Sequence, residues 1–365
     1  MIEIKLVNHK EIIEELVDLF NIVLRHNQQK ISLDFWKWRH LENPLNPPET
    51  KVIVAVDQER IVGANLFILE ELRFKEKNML IAQSCDTMVD PGYRRKGLFI
   101  QIIDFACEYF IEQGCNLFYG FPNSMSLPGF LKKGWQKVLQ VEYLLRVNNP
   151  SAVITKKLGN PALGKTLGFF YNKLYHRQPK ISEKEKQSFT VELFDYFPEA
   201  LKEIDTLYDT NSIEHVRSEI YFKWRFDRHP VFKYKYLLAR QGEELKGYAL
   251  ISTNQSNNGL ITGRIVDYLV KDNDLDCFRI LMAQALEELE KSSCDIIFVW
   301  EMQNQKFHQE FLKRFGFKSS LDFPYRRFME ESYFVARKLN QNLTHKVDIY
   351  NPANWNLTML YPDTT

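Results

Sequence analysis

The chain has 365 residues, enough for about two domains at roughly 100–200 residues each. Its 45% hydrophobic and 26% charged content is that of a folded protein, neither disordered nor fibrous. Lys+Arg 48 against Asp+Glu 47 leaves a net charge of +1, so no global electrostatic argument favours nucleic acid or a membrane surface as a partner.

In chain order, hydrophobic period predicts a strand over 2–7, an amphipathic helix over 12–24, and strands over 51–57, 61–70 and 79–89. A helix follows over 97–112, with Phe99, Ile102, Ile103, Ala106 and Phe110 on one stripe and Gly114 at its end. Next come a strand over 116–120, a short helix near 125–133 and a strand over 135–146. Residues 148–188 read as a partly helical linker, and 154–188 carry eight Lys/Arg against two Glu, which is read as a solvated basic face. The tail, 341–365, has Trp355 among alternating apolar residues and is expected to dock as an ordered cap.

The second half repeats the first. Lys37, Trp38, Arg39 and Pro44 recur as Lys223, Trp224, Arg225 and Pro230, all 186 positions later. Ala55 and Gly63 match Ala239 and Gly247, Asp86 matches Asp267, Cys115 matches Cys294 and Gly134 matches Gly316. The expected architecture is α+β with two tandem units, 1–147 and 189–340, each a mixed, mostly antiparallel sheet flanked by helices. Because the Lys-Trp-Arg segment occurs in both halves, Trp38 and Trp224 are read as core. The shared Asp86 and Asp267 are read as structural.

Residues 88–110 carry the sharpest signal: a strand ends, a Pro-Gly turn intervenes and a helix begins at once. A helix N-terminus presents unpaired N–H groups and partial positive charge, which suits phosphate oxygens. Arg94, Arg95 and Lys96 add charge, and Gly97 lets the backbone come close to a ligand. In the second half the same place reads VKDNDLDCF, with Asp272, Asp274 and Asp276 at the helix start, so acids serve the helix dipole and repel phosphate. One anion site, in the first half, is expected.

Arg94-Arg95-Lys96-Gly97-Leu98-Phe99 resembles the coenzyme A loop Q/R-x-x-G-x-G/A of the GNAT superfamily of N-acetyltransferases, departing at Phe99 where that family has a small residue. The family's second motif, Asn, then Ala at +3, Tyr at +7 and Gly-Phe, is matched in spacing by Asn123, Ser126, Phe130 and Gly134-Trp135. The resemblance covers 1–147, and 189–340 by way of the repeat. It implies a tandem two-domain GNAT protein using acetyl-CoA, with the fourth and fifth strands splayed and the donor held by Met88, Val89, Arg94, Arg95, Lys96, Gly97, Leu98, Phe99, Asn123 and Phe130.

The implied function is acyl-CoA-dependent N-acyltransfer, most simply acetyl, to a primary amine of a small molecule or peptide by direct attack on the thioester. Two alternatives stand beside it: a non-catalytic acyl-CoA sensor or assembly module, and a tandem transferase of longer acyl or aminoacyl groups. The family's usual base positions fall on Gln83 and Cys85. Simple alternation puts Gln83, Cys85 and Thr87 on one face of the strand and Ser84, Asp86 and Met88 on the other. Neither Gln83 nor Cys85 is a good base near neutral pH, so deprotonation through water held by Gln83, Cys85 or Asp86 is expected. Phe130 stands where many members have a tyrosine acid, leaving Tyr119 or Ser126 as the nearest hydroxyls. The five cysteines form no CxxC pair and the eight histidines no HExxH, so no metal is expected. A cytoplasmic protein acting on an amine, with no nucleic acid and no membrane partner, is the expectation; the acceptor and the oligomeric state are not readable.

Overall fold

The computed structural model describes residues 2–24, 30–75, 77–175, 181, 187–209, 211–256, 258–300, 306–327, 330–340 and 347–361. They divide into two compact units, Met1–Gln140 with Glu331–Trp355, and Val141–Glu330 with Asn356–Thr365.

The first unit carries β1 (Glu3–Asn8), β2 (Lys51–Asp57), β3 (Arg60–Phe74), β4 (Lys77–Val89), β5 (Leu117–Gly120), β6 (Gln136–Gln140) and the last strand of the chain, β15 (Tyr333–Lys338). Its sheet runs β1-β2-β3-β4-β5-β15-β6, antiparallel throughout except at the parallel β4–β5 pair. α3 (Leu98–Glu112) covers one face because Leu98, Ile102, Ile103, Ala106 and Phe110 form one apolar stripe, packed with Ile53, Ala55, Ala82, Phe118 and Val335. α1 (Ile13–Val23) buries Leu16, Leu19 and Phe20, and α2 (Leu33–His40) starts at Ser32, whose hydroxyl accepts from Phe35 N at 3.1 Å.

The second unit carries β7 (Tyr143–Val147), β8 (Thr190–Phe194), β9 (Ile213–His215), β10 (Lys233–Gln241), β11 (Glu244–Gln255), β12 (Ile261–Val270), β13 (Ile296–Trp300) and β14 (Lys318–Ser319). Its sheet runs β14-β7-β13-β12-β11-β10-β8, with β12 and β13 parallel. The main helix against it is α8 (Leu275–Lys291), following α5 (Pro150–Leu158), α6 (Pro161–Tyr175) and the short α7 (Glu219–Phe222); α9 (Lys306–Arg314) comes after β13.

The repeat is physical. Ala55 pairs with Gly63 and Ala239 with Gly247 at equivalent rungs of the two sheets. At each glycine a helix comes too close for a side chain: a Cβ on Gly63 would meet Ile102 Cδ1 and Met88 O at 3.2 Å, and one on Gly247 would meet Leu281 Cδ1 and Leu269 O at 2.9 Å. Trp38 and Trp224 are buried, as packing residues would be.

The units do not follow the expected boundaries at 147 and 189. The predicted strand 135–146 is two strands, β6 in the first sheet and β7 in the second, and β15 returns from the far end of the sequence to lie between β5 and β6. Each sheet thus takes a strand from the other half of the chain. The expected linker opens as a helical hairpin, α5 and α6, while 176–180 and 182–186 lie outside the described residues. In the tail, Ile349 and Trp355 are buried in the first unit and Asn356–Tyr361 in the second.

Candidate active site

β4 and β5 pair only at Ala82–Phe118, Gln83–Tyr119 and Ser84–Gly120. β4 then runs on to Val89, held on its other edge where Ala64 pairs with Met88 and Gly63 with Val89. After Gly120 the chain turns off through Pro122, whose carbonyl accepts from Tyr333 N at 3.0 Å. The β5 side of residues 85–89 therefore has no ladder partner among the described residues, and the gap ends at the start of α3.

The turn into α3 is pinned. Asp90 accepts from Gly92 N at 2.8 Å and from Arg60 Nη2 at 2.6 Å, and Tyr93 donates its hydroxyl to Asp57 at 3.0 Å. Arg95 and Gly97 take left-handed φ values of +64° and +77°, which aims the loop back over the helix start. Gly97 caps α3 without a side-chain bond; Ile100 N and Gln101 N donate to its carbonyl at 3.1 Å, which leaves the Leu98 and Phe99 N–H groups at the helix start available. Arg94, Arg95, Lys96 and Gly97 are exposed, and among the described residues neither arginine has an ion-pair partner; Lys96 Nζ lies 4.4 Å from the centre of the Tyr93 ring. In the second unit Asp274 accepts from Asp276 N at 2.9 Å and from Cys277 N at 3.1 Å. The same donors are already taken there, by a negative group.

Simple alternation along β4 fails at one place. Ala64 pairs with Met88 but Leu66 with Cys85, so β4 carries one extra residue, and Asp86 sits in this bulge at φ +44°. Cys85 and Asp86 are brought to the same side, where ligand atoms of His40, Cys85 and Asp86 lie within 4.8 Å of one another. Ser84 and Thr87 share the opposite side, where Asn65 Nδ2 donates to both hydroxyls at 3.2 and 2.7 Å. The expected grouping of Thr87 with Cys85, and of Asp86 with Ser84, is thereby corrected.

Asp86 is held by two residues of α2. His40 Nε2 lies 2.9 Å from Oδ2, and Arg39 Nη2 lies 3.2 Å from each carboxylate oxygen. Burial pushes the Asp86 carboxyl up, but Arg39 and His40 outweigh it and hold the group ionised below its ordinary range. Burial also lowers His40, against the pull of Asp86. A neutral His40 facing a carboxylate carries its proton on Nε2. Its Nδ1 is then a lone-pair acceptor, and it is buried without a hydrogen-bond partner. His40 also lines a cavity of about 200 Å³ with His9, Asn65, Leu66, Phe67 and Leu80. A metal fits this cluster poorly, because the Arg39 guanidinium already occupies the Asp86 oxygens that a cation would need.

Residues 3–138 match the family described as acetyltransferase (GNAT) domain. The chain carries a GNAT domain. Over 99 residues it is 28% identical to a Melanoplus sanguinipes entomopoxvirus protein named as a glycylpeptide N-tetradecanoyltransferase, covering 27% of this chain and only 33% of that protein. Among solved structures, a GCN5-related N-acetyltransferase from Anabaena variabilis aligns over 93% of this chain and 73% of its own (TM-score 0.60, 12% identity). A tandem GNAT protein from the clavulanic acid biosynthesis pathway aligns over 93% and 99% (0.55, 11%). Saccharomyces cerevisiae N-myristoyltransferase with bound myristoyl-CoA aligns over 91% and 82% (0.58, 12%). At these identities the likeness is one of fold.

The remaining expected residues lie in varied surroundings. Met88 is fully buried, Leu98 is buried as the first residue of α3, and Val89 packs against the same apolar cluster. Tyr119 is buried and donates its hydroxyl to Glu70, which pairs with Ile81, further from the α3 turn than Gln83. Gln83 is buried with Oε1 lacking a hydrogen-bond partner. Asn123 Oδ1 accepts from Met125 N, Ser126 N and Ser126 Oγ, each at 3.1 Å, so these two residues bind each other at the start of α4 (Leu127–Leu131). Phe130 is buried, its ring 5.3 Å from that of Phe99 and 4.8 Å from that of Trp135. Phe99 is accommodated by Gly129, where a Cβ would stand 2.6 Å from its ring. His40 and Arg39 had no sequence signal beyond the repeat; a histidine directly after the shared Trp-Arg, absent from the second copy, is the one clue.

Proposed function

We propose that the chain is an acyl-CoA-dependent N-acyltransferase with one donor site, in its GNAT domain, acting on a primary amine of a small molecule or peptide. The observation that carries this reading is the parted β4–β5 pair opening onto an α3 N-terminus that has no side-chain cap, beside Arg94 and Arg95, which have no ion-pair partner among the described residues. Coenzyme A bound there would supply an acyl group activated as a thioester. Arg94, Arg95, Lys96 and the N–H groups after Gly97 would hold its pyrophosphate, and main chain at Met88 and Val89 its pantetheine amides.

The proton chemistry falls to the α2–β4 cluster. As the amine attacks the thioester carbonyl, its proton passes to Nδ1 of His40, and Asp86, already ionised, holds the imidazole by Nε2 and stabilises the positive charge it gains. This is the logic of a carboxylate-oriented histidine base. The thiolate departs without a tyrosine acid. Acetyl is the acyl group that the family description supports. A second reading, transfer of a long acyl chain, is favoured by the relative and the structural neighbour named as tetradecanoyl and myristoyl transferases. Calorimetric titration of acetyl-CoA and myristoyl-CoA, followed by thiol release against a panel of amines, tests both; absence of binding to either would overturn the proposal.

A further inference from the structure

The hairpin of α5 and α6 plays no part in the reading above. Its two helices meet through small residues: a Cβ on Gly164 would stand 1.9 Å from Thr155 Oγ1, and one on Gly168 would stand 2.2 Å from Ser151 Oγ. That close crossing uses up the glycine face of α6. Leu163, Leu167 and Phe170, at i, i+4 and i+7, form a separate stripe that is exposed, as are the neighbouring Phe169 and Leu158. Phe169 is 66% and Phe170 56% exposed, large for adjacent aromatic residues.

Charge tells what such a stripe would meet. α5 and α6 contain Lys156, Lys157, Lys165 and Lys173 and not one Asp or Glu. A protein partner's apolar groove would take the leucines and phenylalanines but would not call for an acid-free, lysine-bordered helix. An anionic bilayer surface calls for both, apolar side chains to enter the acyl boundary and lysines to meet the headgroups. No described helix is long and apolar enough to cross a membrane, so the hairpin would lie on the surface.

We propose that the α5–α6 hairpin binds anionic phospholipid surfaces, with Phe169, Phe170 and the Leu163–Leu167 stripe inserted at the interface and the four lysines against the headgroups. The proposal does not depend on the acyltransferase reading. It runs against the expectation, drawn from net charge alone, of no membrane partner; a local patch escapes a whole-chain sum.

Co-sedimentation of the full chain with vesicles of phosphatidylcholine and phosphatidylserine, 70:30, against pure phosphatidylcholine decides it. Binding is expected to the anionic vesicles, weaker on the neutral ones and weaker in high salt. Phe169→Ser with Phe170→Ser should lower affinity by about tenfold or more. Lys156→Glu with Lys157→Glu should lower it by a factor of about five or more per charge. All four positions are exposed, and circular dichroism confirms folding of each variant. Wild-type protein that stays in the supernatant, or double variants that bind as wild type does, would overturn the proposal. So would light scattering in which the stripe mediates a dimer that the Phe169→Ser, Phe170→Ser variant dissolves while vesicles remain unbound.

Discussion

His40 Nε2 stands 2.9 Å from Asp86 Oδ2, while Arg39, the residue before it in α2, takes both oxygens of the same carboxylate. The twin acid is held differently. Asp267 is bound by Arg217 through Nε at 2.7 Å and Nη2 at 3.0 Å, by Thr358 Oγ1 at 2.7 Å and by the Tyr248 hydroxyl, with no histidine among these partners. One position has therefore become a closed ion-pair network and the other keeps a histidine with a free nitrogen.

From that difference, His40→Gln should fold and still bind acyl-CoA, yet lose turnover by roughly 10²–10⁴-fold, the range for a lost general base. In the wild type the acid limb of kcat/KM should fall below the ordinary histidine value near 6.5, because burial lowers His40. A thiol-release assay across pH gives both answers. His40→Gln at full rate would return the proton to a water relay. Asp267→Ala, by contrast, should act on stability, by about 3–5 kcal/mol, since it leaves Arg217 buried without its main partner.

Coenzyme A should bind with a stoichiometry near one. Gly97→Glu should abolish binding, because Gly97 sits at φ +77° and a carboxylate there repels phosphate. Asp274→Ala should leave binding unchanged while costing about 1 kcal/mol as a lost helix cap. Calorimetry on the three proteins would expose a second site at once.

Phe99 and Gly129 form a size-compensated pair, so Gly129→Ala should cost about 1–3 kcal/mol by forcing the Phe99 ring aside. Phe130→Tyr should bring no gain in turnover, because the ring is packed between Phe99 and Trp135. A rise in rate with unchanged melting temperature would mean that the added hydroxyl reaches the reacting sulfur after all.

Stability should depend on acid. His9, which accepts from Trp36 Nε1 at 2.8 Å, is pushed down to about 3, by burial first and by His40 second, and His40 is lowered too. Below the ordinary histidine value the unfolded chain binds protons that the folded one refuses. For His9 this stability is complete above about pH 6.5 and is lost as pH falls toward 3, by about 1.4 kcal/mol per unit, and His40 adds to the loss in the same direction. Urea midpoints at pH 7.5 and 5.0 should differ accordingly, and His9→Gln should narrow the gap. Equal midpoints for the wild type would contradict the burial of these rings.

The strand, turn and helix around Arg94–Gly97 were legible because each step is local: an apolar run, a Pro-Gly turn, a glycine cap. So was the contrast with Asp274. The grouping of Cys85 with Asp86 was not, since alternation assumes a regular pleat and a single residue at φ +44° resets its phase. α2 escaped because LDFWKWRH mixes aromatic and charged residues without an apolar stripe, yet buries Trp36, Trp38, Arg39 and His40 together. The exchange of β7 and β15 was invisible for another reason: composition marks a segment as a strand but does not name its neighbour.

Because β15 lies between β5 and β6, the first sheet cannot close until nearly the whole chain has left the ribosome. Until then β5 has one unpaired edge and β6 lacks its ladder partner, both open to wrong pairing. Slow completion and a need for chaperone shelter follow from such long-range pairing. A fragment of residues 1–147, natural as it looks in the sequence, would hold the whole Arg94–Phe99 turn and still carry that open seam.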